Sequence, residues 1–174
     1  SSAASDVYKR QGDTMPQEVL GGDYDGLMLS NGPGDPAENV EIVEHLKTLI
    51  KSDMPIFGIC LGHQLMALAI GAKTEKMRFG HRGVNHPVKD LDTGRTYITS
   101  QNHGYAVVGD TVDSNVARIC FVNLNDGSVE GLAHVNRPIF TVQYHPEVCP
   151  GPQDTSYLFD RFLENIDKHK GGQL

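Results

Sequence analysis

Apolar and polar positions along the chain follow two periods, and the switches between them mark its elements. Gly26-Leu27-Met28-Leu29-Ser30 is a short apolar run bounded by turn residues and predicts a buried strand. Over residues 39–51 the apolar positions Val40, Ile42, Val43, Leu46, Leu49 and Ile50 recur at helical spacing, with Glu, His and Lys opposite. That pattern predicts an amphipathic helix, and His45 falls on its solvated face. Residues 55–59 form a second apolar run, rich in β-branched and aromatic side chains, and a helical segment over 64–70 follows, ended by Gly71 as a C-cap would end it. Strand, helix, strand, helix is the order of a mostly parallel central sheet covered by helices on both faces.

Between residues 73 and 135 the pattern changes. Short strands are predicted at 73–77, 96–99, 117–121 and 129–133, separated by turn chemistry such as Asn125-Asp126-Gly127, so a small antiparallel β section is expected. Residues 138–143 read as another apolar strand, 144–152 as a loop and 154–168 as a final helix. In that helix Tyr157, Leu158, Phe162 and Ile166 share one face, with Asp154 or Thr155 available as N-cap. Residues 15–20 predict a short helical turn ended by Gly21-Gly22. Residues 1–12 have no period and read as a disordered lead-in or tag, and 171–174 as a tail, leaving 13–170 as the domain. The fold class is α/β.

Length and charge narrow the function. At 174 residues the chain makes one α/β domain and not two. A net charge of −7 without a basic cluster excludes nucleic acid or an anionic membrane as the main partner. No apolar run is long enough to cross a bilayer and the N-terminus lacks a signal-peptide pattern, so a soluble, cytoplasmic protein is expected. Cys60, Cys120 and Cys149 lack CxxC spacing, which indicates neither a disulfide framework nor a zinc knuckle.

The chemistry centres on Gly58-Ile59-Cys60-Leu61-Gly62, where a strand turns at once into a helix. A nucleophile elbow needs a turn sharp enough to hold its central residue out, with small neighbours on either side. Gly58 and Gly62 meet that need, and Cys60 is the residue held out, at a helix N-terminus that favours the reactive thiolate. Cys120, inside a β-rich run, reads as core, and Cys149 as an incidental thiol without an elbow. A thiol nucleophile needs a base, and the base an orienting partner. His145-Pro146-Glu147 follows the strand over 138–143, and open α/β sheets gather their active groups at the carboxyl ends of strands. Glu147 can accept from one imidazole nitrogen and leave the other facing sulfur.

The loop Gly32-Pro33-Gly34-Asp35-Pro36-Ala37 formally fits a dinucleotide fingerprint, but its prolines remove N–H groups that would cradle a pyrophosphate, and Asp53 precedes its strand instead of ending it. A better reading is that a glycine N–H of this loop joins the Leu61 N–H as an oxyanion hole. Gln64, one helical turn beyond Cys60, offers both a donor and an acceptor to a polar substrate. His81, His86 and His103 lie in separate loops without metal-ligand spacing, so no metal site is expected.

Taken together, Ser30-Asn31-Gly32-Pro33-Gly34-Asp35-Pro36, Gly58-Ile59-Cys60-Leu61-Gly62-His63-Gln64, Phe79-Gly80-His81-Arg82-Gly83-Val84-Asn85-His86-Pro87, Gln101-Asn102-His103-Gly104-Tyr105 and Gln143-Tyr144-His145-Pro146-Glu147 resemble the class I glutamine amidotransferase family. The Asn-Gly-Pro-Gly-Asp-Pro, Phe-Gly-His and Asn-His-Gly stretches resemble its carbamoyl-phosphate branch in particular. The resemblance implies a flavodoxin-like sheet and a triad of Cys60, His145 and Glu147 that hydrolyses L-glutamine through a glutamyl thioester. It implies glutamine contacts at Gly32, Gly34, Leu61, Gln64, Asn102, Gly104 and Tyr105. It further implies a partner, the large synthetase subunit, which takes the ammonia and holds the ATP and Mg, so that no cofactor is expected in this domain.

In the family, a strand and helix of the same domain and a separate N-terminal domain come before the Gly26 strand, and the two dozen residues before Asp25 match neither. The N-terminal part is therefore expected to be truncated, with one sheet edge uncovered. Two other readings stay open: a γ-glutamyl or peptide hydrolase using the same elbow cysteine, and a catalytically inactive docking module.

Overall fold

The computed structural model describes residues 15–148 and 155–172. The predicted lead-in over 1–12, Cys149 and the alternative N-cap Asp154 lie outside the described residues.

Helix α1 spans Pro16–Leu20, strand β1 Leu27–Leu29, helix α2 Val40–Ile50, strand β2 Ile56–Ile59 and helix α3 Leu61–Ala69. Strands β3 (Thr74–Asp90), β4 (Thr96–Val107), β5 (Ala117–Asn123), β6 (Val129–His134) and β7 (Ile139–Val142) follow, then helix α4 (Tyr157–Lys170). All seven strands join one mixed sheet in the order β1-β2-β7-β6-β5-β3-β4. β1, β2 and β7 are parallel, with Ile56 opposite Ile139 and Gly58 opposite Thr141, and every pairing beyond β7 is antiparallel.

Every residue of β2 and of β7 is buried, as central strands covered on both faces require. Their side chains alternate between two cores. Phe57 and Phe140 stack with ring centroids 4.5 Å apart and face α4 through Leu158 and Phe162. Ile56 and Ile139 face the other way, onto Leu46 and Leu49 of α2 and Leu65 and Met66 of α3. With both cores filled, the ends of β2 and β7 stand side by side with no freedom to slide, and the residues just past them inherit that registry. Cys60 is bound directly to the neighbouring strand, its N–H donating to the Val142 carbonyl at 2.9 Å.

Two elements differ from expectation. The hairpin β3–β4 is far longer than the short strands at 73–77 and 96–99, and the histidine-bearing stretches expected to be loops lie within it, His81 directly opposite His103. The reason is chemical. The inward positions are filled by Gln101, His103 and His81, so the alternation runs polar against polar and leaves no apolar period to read. Register shifts between Lys76 and His81 and between Gly83 and His86 break the period further. The final helix begins at Tyr157 with Ser156 as N-cap, while the Thr155 hydroxyl donates instead to the Pro146 carbonyl at 3.2 Å. No helix among the described residues is long and apolar enough to cross a membrane.

Candidate active site

Cys60 has φ 54° and ψ −105°, in a region that a residue with a Cβ enters only under constraint, at a cost of roughly 1–3 kcal/mol. Bonds on both sides of it impose the turn: its N–H is held by Val142, and its carbonyl accepts from the Gln64 N–H at 3.2 Å to open α3. The flanking glycines are required by contact. A Cβ on Gly58 would stand 2.9 Å from the Gly62 carbonyl oxygen and from a Thr141 methyl. One on Gly62 would stand 2.5 Å from the Leu29 carbonyl oxygen. Cys60 itself is 5% exposed.

His145 arrives from the end of β7, and its N–H donates to the Ser100 carbonyl at 2.9 Å, which fixes it against β4. Its Nδ1 donates to Glu147 Oε1 at 2.9 Å. The imidazole is raised to about 10, first by its hydrogen bond with the Cys60 thiol and then by the one with Glu147, against the opposing effect of burial. Burial is the largest single influence on the Glu147 carboxyl and pushes it up, but the hydrogen bond from His145, one from its own backbone N–H and the charge of His145 together outweigh it, so the net displacement is downward. Cys60 and Glu147 thus both act on the His145 imidazole, and both favour its protonated form.

The other expected site residues lie on the glycine loop after β1 and on β4. Gly32 is exposed and close enough to Leu61 that a Cβ there would meet Leu61 Cδ2 at 2.8 Å, so the glycine loop lies against the residue after the nucleophile. Gly34 carries the loop's positive φ of 101°, and Asp35 Oδ1 accepts from the Ala37 N–H at 2.9 Å to start a short 3-10 turn. Asn102, Gly104 and Tyr105 are on β4, the strand that starts its passage at the Ser100 carbonyl beside His145. Asn102 is exposed, and Gly104 and Tyr105 are half-buried.

Gln64 behaves differently from the expectation that it presents a donor to substrate. It is buried, and its Nε2 donates to the Tyr105 carbonyl and to Gln143 Oε1, each at 2.9 Å. Both amide hydrogens are thus committed within the protein, which leaves only the carbonyl oxygen to face a ligand. Asp53, the candidate ribose acid of the dinucleotide reading, is ion-paired with Arg137. Burial pushes the Cys120 thiol up to about 12, which fits core packing and not reactivity.

The sequence reading missed a buried polar group behind β4. Gln101 Oε1 accepts from His81 Nδ1 at 2.9 Å and lies 2.8 Å from His103 Nε2, while Gln101 Nε2 donates to Glu130 Oε1 at 2.9 Å. His103 Nδ1 donates to the Tyr105 carbonyl at 2.8 Å, so this group props up the strand that carries Asn102 and Gly104. His81, His103 and Glu130 bring three ligand-type atoms within 4.8 Å of one another, but His81 Nδ1 donates to Gln101 Oε1, Glu130 Oε1 accepts from Gln101 Nε2, and His81 Nε2 donates to Asp126 Oδ2 at 2.8 Å. The arrangement is that of a brace.

Glu130 raises His81 to about 9; burial opposes this and Asp126 adds to it. A histidine raised on folding stabilises fully below its unfolded pKa of about 6.5, and the contribution fades as pH rises through about 9. The melting-temperature gap between the chain and a His81→Asn variant is therefore expected to be widest near pH 6 and to narrow above pH 9, as read by thermal unfolding in a buffer series. A gap that widens with pH contradicts this assignment.

His63, to which the sequence reading gave no role, is also buried. Burial, and secondarily His103, pushes it down to about 3, so it is neutral and bonds Thr141 Oγ1 at 2.8 Å between α3 and β7.

Comparison with known proteins places this geometry. The family model described as glutamine amidotransferase class-I matches residues 5–165. The carbamoyl phosphate synthase small chain of Bacillus caldolyticus is 58% identical over 91% of this chain, and that of Symbiobacterium thermophilum 57% identical over 87%. These alignments cover 43% and 42% of the two relatives, so the chain spans less than half the length of the curated relatives it matches. Among solved structures, a Thermoplasma acidophilum protein assigned to GMP synthase superposes with a TM-score of 0.76 at 25% identity, covering 93% of this chain and 81% of that one. A Thermotoga maritima glutamine amidotransferase superposes at 0.56 and 19% identity, over 84% of this chain and 64% of that one, and shows the likeness of fold alone.

Proposed function

The chain belongs to the class-I glutamine amidotransferase family, and from that premise we propose that it hydrolyses the side-chain amide of L-glutamine to glutamate and ammonia. What supports the reading is the strained elbow at Cys60 together with the His145 imidazole, which bonds Glu147 and is raised by Cys60. Cys60 sulfur attacks the carboxamide carbon, and the carbonyl oxygen takes the charge between the N–H of Leu61 and a glycine N–H of the Gly32–Gly34 loop. The proton held on His145 passes to the amide nitrogen, the C–N bond breaks and ammonia leaves. Water, deprotonated by the now neutral His145, attacks the thioester, releasing glutamate and returning the proton to the pair. Gly32, Gly34, Leu61, Gln64, Asn102, Gly104 and Tyr105 contact the glutamine, Gln64 through its carbonyl oxygen.

On the same reading the ammonia goes to a large synthetase subunit that makes carbamoyl phosphate from bicarbonate and ATP, in the cytoplasm, and feeds arginine and pyrimidine synthesis; likeness to proteins named carbamoyl phosphate synthase small chain supports it. ATP and Mg belong to that subunit. Release of glutamate and ammonia in equal amounts from L-glutamine tests the reading. Release only from γ-glutamyl peptides, or from neither substrate even with the large subunit present, overturns it in favour of the two other readings.

Glu147→Gln keeps an oxygen for the His145 N–H but removes the charge that helps hold the imidazole up. Its kcat for glutamate release is expected to fall on the order of tenfold, and the alkaline limb of the kcat profile to move to lower pH. A pH profile of the two proteins checks both.

A further inference from the structure

Gln143 is fully buried at the end of β7, two residues before His145, and the steps carried by the triad give it no part. Its carboxamide is engaged at both ends. Oε1 accepts from Gln64 Nε2 at 2.9 Å, and Nε2 lies 3.7 Å from Cys60 Sγ in hydrogen-bonding geometry. The neighbours dictate which way round the amide sits. Gln64 Nε2 also donates to the Tyr105 carbonyl, which can only accept, so the Gln64 nitrogen must be where it is. The Gln143 atom facing that nitrogen is then oxygen, and the atom facing sulfur is the N–H donor. One further bond holds the residue, its backbone N–H donating to the Glu130 carbonyl at 2.8 Å, and its partner Gln64 is held by the first turn of α3, where the Gln64 N–H donates to the Cys60 carbonyl.

We infer that Gln143 is a positioning residue for the nucleophile, donating a hydrogen bond to Cys60 sulfur and holding it in the acceptor, thiolate form. A thiol sulfur is a weak acceptor and carries a proton that must point somewhere, whereas a thiolate accepts from Gln143 and His145 together. The donor is an amide, which neither titrates nor competes for the proton that His145 must deliver. Through Gln64 the same contact ties the sulfur to Tyr105 on β4, so the strand that receives glutamine and the atom that attacks it are one hydrogen-bonded unit.

The effect on turnover rests on the amidotransferase reading; the effect on sulfur does not. The test follows the rate of iodoacetamide alkylation of Cys60 against pH in the full chain, read by peptide mass spectrometry to separate Cys120 and Cys149, alongside glutamate release. Q143M keeps length and removes the donor. Q143E keeps the acceptor for Gln64, removes the donor and adds like charge. The alkylation midpoint is expected to move up by about one pH unit in Q143M and further in Q143E, with kcat down about tenfold and KM for glutamine within about twofold.

A purely structural role would lower the melting temperature and leave the midpoint in place, and an unmoved midpoint in whichever variant folds overturns the proposal. If the parent chain releases no glutamate while the midpoint still moves, the proposed glutaminase function fails and the placement of Gln143 stands.

Discussion

Cys60→Ser is expected to abolish glutamate release, lowering kcat by at least about a thousandfold, while leaving the melting temperature within about 2 °C of the parent. The substitution exchanges sulfur for oxygen at a buried position whose backbone is held by Val142 and Gln64, so nothing in the fold asks for sulfur. The chemistry does. A protonated imidazole and a nearby amide donor support a thiolate, but a serine hydroxyl is too weak an acid to give up its proton to the same imidazole. The variant keeps His145, Glu147 and the β4 wall, so glutamine should still bind with a KM or Kd near that of the parent. Equilibrium binding together with steady-state glutamate release separates the two effects. Retention of more than about a tenth of the activity would remove Cys60 from the reaction.

The elbow was legible because its requirement is steric and local: two glycines at minus two and plus two from one cysteine, set between an apolar run and a helical one, are written within five residues. His145 and Glu147 were legible for a similar reason, a carboxylate two positions from an imidazole at the end of a buried strand. The β3–β4 hairpin was not. Its inner face is built from Gln101, His103 and His81, which are stable there only because they bond one another and Glu130, a residue from a different strand. Hydrophobic periodicity cannot register a face whose burial is balanced by hydrogen bonds made across the sheet. Gln143 was hidden for the same reason: a polar residue closing an apolar strand reads as the strand's end, and its partners are about 80 residues away. Gln64 is the converse case: the sequence offers its donors to a ligand, and the folded chain supplies partners for both of them.

Gly62→Ala carries the largest expected cost in stability. The added methyl carbon would sit 2.5 Å from the Leu29 carbonyl oxygen and 2.6 Å from Leu29 Cβ, and a backbone oxygen cannot swing aside as a side-chain tip can. Either β1 or the first turn of α3 must move. Among the described residues β1 is an edge strand of three residues hydrogen-bonded only to β2, so it is the element that yields. The expected loss is about 2–3 kcal/mol, or a melting temperature lower by about 8 °C for a domain of this size.

Activity should fall by more than stability explains. The Leu61 N–H and the Gly32 loop are set by the same first turn and by the residues that follow β1, and a displacement near 1 Å can cost on the order of a hundredfold in rate. Gly104→Ala is the contrast, because nothing lies within 4 Å of a Cβ there and its melting temperature should stay within about 1 °C. Thermal unfolding of the two variants side by side decides the matter. Equal melting temperatures would mean that the contact between α3 and β1 does not hold the elbow, and that the conformation of Cys60 is secured by Val142 and Gln64 alone.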